Sequence, residues 1–385
     1  MPDFSAAVLI VLFSFGQTIR FSLFSPEVRF SFLDIGVFIL TCWTLVLNHG
    51  LLSRLIATHR RVFVALLVFL VIAVVSLITS GPGFGIPAVM VGGLYLLRFI
   101  VYSLLPFILA TQFTVAKLRR LLIFLGLSVT LIGLYQYAYF PDIRHLTVLE
   151  WDPHYYRVVG TWLDPGFTGL LLVFSLIYLS TTPFLPRLGR LLAWAASYLG
   201  LALTYSRSSY LAFLLAFAYL SWQKRSASLF IAIISLFALT LYLLPRPGGE
   251  GVNLQRTNSI LARVINWRQS LVIFYRHPIL GVGFNTYRAA QLHYGLLSSS
   301  NWQANHAGAG ADSSLLFVAA TTGIIGLVAY LRYWRVLFNF AQASPTIPPT
   351  FIAVLVHGLF LNSLFYPPVL LWLGLLLAIR VRTSD

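Results

Sequence analysis

Apolar runs long enough to cross a hydrocarbon layer recur about a dozen times along this chain, divided by short polar intervals. They fall near 4–20, 32–48, 62–79, 94–112, 119–140, 166–182, 190–205, 208–222, 227–244, 313–331, 350–364 and 367–380. Each run predicts one transmembrane helix, so the expected fold is all-α, a polytopic membrane protein of about twelve spans in a single integral domain. The first run carries no cationic lead-in and no small-residue cleavage site, and 4–19 therefore reads as an uncleaved span. Two polar intervals exceed simple turns: 141–165, rich in aromatics and mixed charge, and the much larger 245–312.

Composition makes the bilayer the solvent: 59% of the 385 residues are hydrophobic and only 9% charged. The net charge of +16 is unevenly divided. With the N-terminus inside, the inner loops hold Arg54, Arg60 and Arg61, then Lys117, Arg119 and Arg120, then Arg187 and Arg190, Lys224 and Arg225, Arg332 and Arg335, and Arg380 and Arg382. Apart from the terminal Asp3 and Asp385, every carboxylate falls outside: Glu27, Asp34, Asp142, Glu150, Asp152, Asp164, Glu250 and Asp312. That alternation predicts a cytoplasmic membrane protein with both termini in the cytoplasm. Anionic lipid headgroups account for the inner cations. Nucleic acid is excluded as a partner, because no soluble basic domain or aromatic–basic module appears. Cys42 is the only cysteine, which excludes a disulfide framework and a cysteine metal site.

Against this charge rule, 245–312 carries Arg246, Arg256, Arg263, Arg268, Arg276 and Arg288 on the outer side. Clustered guanidiniums there suit a doubly anionic group such as a pyrophosphate. Within the segment, 260–279 is expected to be helical, capped by Asn258 or Ser259 and ended by His277-Pro278. Arg263, Asn266 and Ser270 share one stripe of that helix, with Leu261, Val264, Ile265 and Val272 elsewhere, so it can lie on the membrane surface and offer Arg263 to a headgroup.

Three further groups could carry chemistry. Arg207 stands between two apolar runs in Thr204-Tyr205-Ser206-Arg207-Ser208-Ser209; it reads either as a snorkelling interfacial arginine or as an anion site among hydroxyls. Arg157 follows Tyr155 and Tyr156 and fits either an interfacial aromatic belt or a substrate contact. His306, among small residues near the outer end of a span, is the histidine of choice for a general base. Asp312 is the second candidate, as the base itself, as a partner orienting His306, or as a helix N-cap. There is no DxD, no HExxH, no acidic pair at ligand spacing, no Walker loop and no GxGxxG, so no metal or nucleotide cofactor is expected and arginines would have to neutralise developing charge.

In order and spacing, several pieces over about half the chain resemble the O-antigen ligase / O-antigen polymerase superfamily of bacterial envelope enzymes. They are Arg157-Val158-Val159-Gly160-Thr161-Trp162-Leu163-Asp164-Pro165, Thr204-Tyr205-Ser206-Arg207-Ser208, Arg263 followed by Trp267, His277-Pro278-Ile279-Leu280-Gly281-Val282-Gly283, and Thr322-Gly323-Ile324-Ile325-Gly326-Leu327. The resemblance implies a GT-C-type helical enzyme that takes an undecaprenyl-diphosphate-linked glycan as donor and a saccharide or glycolipid hydroxyl as acceptor, without metal or nucleotide sugar. It implies that Arg207 and Arg263 bind the diphosphate and that a loop histidine deprotonates the acceptor for inversion at the anomeric carbon. The chain departs from the family in one place. Where members carry a His-Asn pair about a dozen residues before the Gly-Ile-Ile-Gly turn, this sequence has Asp312-Ser313, with His306 upstream. His306 is the preferred base, with Asp312 as its rival. A lipid-linked glycan flippase and a non-catalytic assembly component are the alternative functions. Transport is disfavoured, because only Arg98 and Asp34 approach mid-membrane depth.

Overall fold

The computed structural model describes residues 2–22, 28–149, 151–297 and 310–384. All twelve apolar runs fold as helices: α1 (Pro2–Phe15), α2 (Phe32–Leu47), α4 (Arg60–Thr79), α5 (Gly81–Gln112), α6 (Val115–Tyr139), α7 (Pro165–Thr181), α8 (Arg187–Ala202), α9 (Arg207–Gln223), α10 (Ala227–Leu243), α13 (Ser314–Ala341), α14 (Ile347–His357) and α15 (Pro367–Ser384). Three more are less apolar: α3 (Leu51–Thr58), α11 (Asn258–Arg276) and α12 (Tyr287–His293). Among the described residues the only sheet is a hairpin, β1 (Arg20–Ser22) antiparallel to β2 (Arg29–Ser31).

By length and apolar composition α4, α5, α6 and α13 can each cross a membrane, and α2 with α3, bent by 98° between them, makes a fifth crossing if the pair is one broken span. Four shorter apolar helices, in α1, α7, α10 and α14, accompany them. The chain is an all-α, multi-pass membrane protein.

Burial orders the bundle. Leu170 to Ile177 of α7 are almost wholly enclosed, and α7 packs on α6, α8, α9 and α14. The other enclosed helix, α15, lies against α5 and α6. A helix apolar on every face and buried on every face belongs at the centre. At the periphery α10 leans on α9 alone among the helices with substantial contact and buries only Ile233. Exposed Phe230, Ile231, Leu239 and Leu243 give it a surface that suits lipid.

Helix starts follow side-chain chemistry. Asp164 caps α7 by accepting from the Gly166 and Phe167 amides, with Pro165 at the first helical position. Ser206 caps α9, and Ser31 with Asp34 forms a capping box on α2. Two expectations are corrected here. Ser313, not Asp312, caps α13, accepting from the Leu316 amide and leaving the Asp312 carboxyl for other uses. Helix α11 begins at Asn258, after Thr257, and no side chain caps it; His277 ends it as expected.

The His277–Gly283 motif explains a break in α13. Gly323 is left-handed inside that helix (φ 65°), which interrupts the backbone ladder. The 278–283 turn enters the gap: the Val282 and Gly283 amides donate to the Ala320 and Thr321 carbonyls, each at 3.0 Å, and the Ile324 amide donates to the Pro278 carbonyl at 2.8 Å. Ser76 of α4 adds its hydroxyl to the Thr321 carbonyl at 2.7 Å. Backbone polar groups freed in an apolar setting are thus satisfied by another segment, as irregular backbone there requires. A Cβ at Gly323 would collide with the Ile279 carbonyl, and one at Gly281 with the 321–322 peptide. Gly323→Ala is expected to cost about 2–4 kcal/mol, combining the positive φ with a backbone collision. A drop in detergent melting temperature checks it, and an unchanged melt would show that the turn is free to move.

Candidate active site

On α11 the sequence places polar residues inward. Asn266 and Ser270 are buried and Arg263 is half-buried, while Leu261, Val264 and Ile265 are exposed. This is the stripe read from the sequence, with its apolar side outward. Asn266 then holds the backbone that leads into α13: its Nδ2 donates to the Gly310 carbonyl at 3.1 Å, and its Oδ1 accepts from the Asp312 amide at 2.6 Å. Trp267 Nε1 donates to the Asp312 carbonyl at 3.0 Å, and its ring packs on Phe360. Asp312 is therefore fixed by its main chain, and its carboxyl makes no hydrogen bond among the described residues.

That carboxyl lines a cavity of about 830 Å³. The enclosure is built by the β-hairpin, α5, the 151–164 segment, α11, α12 and the residues entering α13 and α15. Burial lifts the Asp312 pKa to about 6; Arg263 opposes the rise, while Asp164 and Asp152 add to it. A carboxylate that changes protonation near neutral pH inside a concave site can take or give a proton. Among the described residues no three of His, Cys, Asp or Glu meet as a metal-ligating group.

Beside the cavity four arginines gather. Arg157 is buried and donates from Nε to the Thr204 carbonyl at 2.9 Å and from a terminal nitrogen to the Tyr205 carbonyl at 3.3 Å. Arg256 reaches the same Tyr205 carbonyl at 3.3 Å and the Gly251 carbonyl at 2.6 Å. Arg207 donates to the carbonyls of Leu254 and Arg256, at 3.2 and 3.0 Å, and to Ser259 Oγ at 2.6 Å. Burial, then the neighbouring Arg256, pulls the Arg157 pKa down to about 9. Arg256 is lowered as well, by burial first and then by Arg207 and Arg263. These shifts record guanidiniums crowded together with little carboxylate to relieve them.

Arg263 differs from the other three. It lies within electrostatic reach of Arg157, Arg207, Arg256 and Asp312, yet it donates no hydrogen bond among the described residues. The sequence-derived candidates Arg157, Arg207, Arg263 and Asp312 thus come together from four distant segments. His306 lies outside the described residues. Arg157, Arg207, Arg256 and Arg263 stand behind the residues that line the cavity; Arg207 fastens the 254–259 backbone to the start of α9, and Arg157 fastens its own segment to the 204–205 turn.

The cavity is also lined by Arg288 of α12, one of the clustered arginines of 245–312, and by three that the sequence did not mark: Arg20 and Arg29 of the hairpin and Arg98 of α5. Arg98 pairs through Nε with Asp34 Oδ1 at 2.9 Å, and Tyr102 and Ser31 also donate to that carboxylate. Arg20 lies over the Trp151 ring, 3.8 Å from its centroid. A signal existed for the hairpin pair, since the loop-charge alternation read from the sequence puts both arginines on the side where cations are disfavoured.

Residues 191–331, which span α8 through the first two-thirds of α13, match the family model described as O-Antigen ligase. None of the curated proteins matches the chain.

Proposed function

For a chain that belongs to the O-antigen ligase superfamily, we propose transfer of a glycan from a polyprenyl-diphosphate carrier to a hydroxyl of a saccharide or glycolipid acceptor. The observation that carries this reading is the pairing of Arg263, half-buried and without a hydrogen bond among the described residues, with Asp312, a cavity carboxyl lifted to about 6. The acceptor hydroxyl gives its proton to Asp312 while its oxygen bonds to the anomeric carbon from the face opposite the leaving group. The bond from that carbon to the diphosphate oxygen breaks, its electron pair stays on the oxygen, and the configuration inverts. Arg263 meets the charge that collects there, with Arg207 behind it. Only contacts that tighten as the bond breaks accelerate this step. In this scheme guanidiniums neutralise charge without a metal, and a carrier donor replaces a nucleotide sugar.

The same reading includes about twelve spans in a GT-C-like arrangement, with both termini cytoplasmic and the 245–312 segment on the outer face of the cytoplasmic membrane. The alternation of cationic inner loops with carboxylate-bearing outer ones supports it. The decisive assay combines purified protein, lipid-linked oligosaccharide and a saccharide acceptor. A ladder of products identifies a polymerase and single-block attachment a ligase. Translocation of the carrier without any product would overturn the enzymatic reading.

A further inference from the structure

One imidazole joins the two halves of this site. His357 is the last residue of α14 and is wholly enclosed, with both ring nitrogens paired. Nδ1 lies 2.6 Å from Ser363 Oγ, and Nε2 lies 3.4 Å from Ser209 Oγ. We propose, resting on the reading of Arg263 and Asp312 given above, that His357 is a positioning residue for the transfer. Through Ser209 and Ser363 it sets the spacing between the arginine side of the site and the Asp312 carboxyl. The ring itself does not line the cavity but lies one layer behind it. Phe167, 6.3 Å from it between ring centroids, stacks on Tyr366, and those two rings form part of the lining.

From Ser209 the contacts run to the arginines. Its Oγ lies 2.8 Å from Ser206 Oγ and 3.0 Å from the Gly166 carbonyl oxygen. Ser206 caps α9, whose first residue, Arg207, grips the Leu254 and Arg256 carbonyls and Ser259. Ser259 belongs to the first turn of α11, and Arg263 follows one turn later. From Ser363 the contacts run through the 358–364 turn to α13. The Ser314 amide donates to the Gly358 carbonyl at 2.7 Å, and the Ser314 hydroxyl accepts from the Leu364 amide at 3.1 Å. Ser314 begins α13, directly after the Asp312-Ser313 pair. Gly166 brings in the start of α7, whose cap Asp164 lines the cavity. A Cβ on Gly166 would strike Leu361 and come to 3.7 Å from His357 Nε2, and one on Gly169 would strike Ser209, so α7 approaches the ring only because both positions are small. Three helix starts thus meet at one side chain, and Arg263 lies within electrostatic reach of it. A neutral imidazole offers one donor and one acceptor, and a serine hydroxyl can answer either, so the ring is satisfied in both tautomers. An apolar side chain would fill this place at a lower desolvation cost, but only directional bonds fix angle as well as volume.

Glycan transfer and farnesyl diphosphate binding by the full-length protein in nanodiscs test this role. His357→Gln puts one amide in place of two ring nitrogens and cannot hold both serines at once. Its kcat is expected to fall about 10- to 100-fold, the scale of a misplacement of about 1 Å, with KM for donor and Kd for farnesyl diphosphate within about threefold of native. Ser209→Ala and Ser363→Ala are each expected to lower kcat about tenfold, and the double variant no further, because cutting either end already releases the link. A double variant reduced about 100-fold would reveal two independent effects and overturn the proposal. Native kcat in His357→Gln would overturn it as well. So would loss of farnesyl diphosphate binding by a His357→Gln protein that melts like the native one, since the ring would then support the arginine side alone. If His357→Gln does not fold, the serine cycle decides by itself. A native protein that transfers no glycan refutes the enzymatic reading and takes the positioning role with it, whereas active native protein beside unaffected variants refutes only the role of His357.

Discussion

Asp312→Asn is expected to lower glycan transfer by about 10²- to 10⁴-fold, the range for removing a general base, while raising stability at neutral pH. The amide keeps the shape of the carboxyl and the backbone clamp from Asn266 and Trp267, but it cannot take a proton. In the native protein the group binds its proton up to about pH 6, above the value of about 3.9 for an unstrained Asp. Between those two values the folded state holds more protons than the unfolded chain, so stability falls as pH rises through the window and the deficit persists above it. Asparagine removes that deficit. A purely structural Asp312 predicts the opposite, a variant that melts lower. The native transfer rate should climb as pH passes upward through about 6, following ionisation of the base, and the variant should lack that limb. Rates and melting curves from pH 5 to 8 read both effects. Full activity in Asp312→Asn together with inactivity in His306→Ala would move the base to His306 and sink the assignment.

Arg263→Lys is expected to reduce transfer by about 10²- to 10³-fold, the magnitude of losing one preorganised donor to a developing oxyanion. Charge is conserved, so a long-range field effect would leave the rate almost intact. What disappears is the planar fork that meets two phosphate oxygens at once. The loss should fall on the rate constant more than on the Michaelis constant for donor, because the contact strengthens as the bond breaks. Arg207→Lys offers a contrast. Its guanidinium spans two carbonyls and Ser259, so lysine there should also loosen the loop and lower the melting temperature. Equal kinetics for Arg263→Lys and native protein would remove Arg263 from the chemistry.

Most of the fold was legible in the sequence. Each of the twelve apolar runs coincides with a helix, and four of those helices, or five with the bent α2–α3 pair, are long and apolar enough to cross a membrane. Cap residues were legible only to within a position, as the exchange of Asp312 for Ser313 demonstrates, because both residue types cap well and only geometry chooses. The bend between α2 and α3 and the insertion of 278–283 at Gly323 were not legible, since both depend on contacts made after the bundle assembles. At the site, the convergence of Arg157, Arg207, Arg263 and Asp312 was foreshadowed by motif order. Arg20, Arg29 and Arg98 escaped notice as cavity residues because they are spread along the chain and share no local pattern, whereas Arg288 belongs to the 245–312 cluster. Arg98 was weighed only for its depth, and its pairing with Asp34 needed three dimensions.

The guanidiniums of Arg157, Arg207 and Arg256 donate to main-chain carbonyls, and in Arg207 also to the Ser259 hydroxyl, rather than to acidic side chains. Peptide carbonyls neither titrate nor attract mobile counter-ions strongly, so the framework around the 251–259 segment keeps its contacts over a wide range of acidity and ionic strength. A change of pH can then alter the charge on Asp312 without reshaping the backbone beside it.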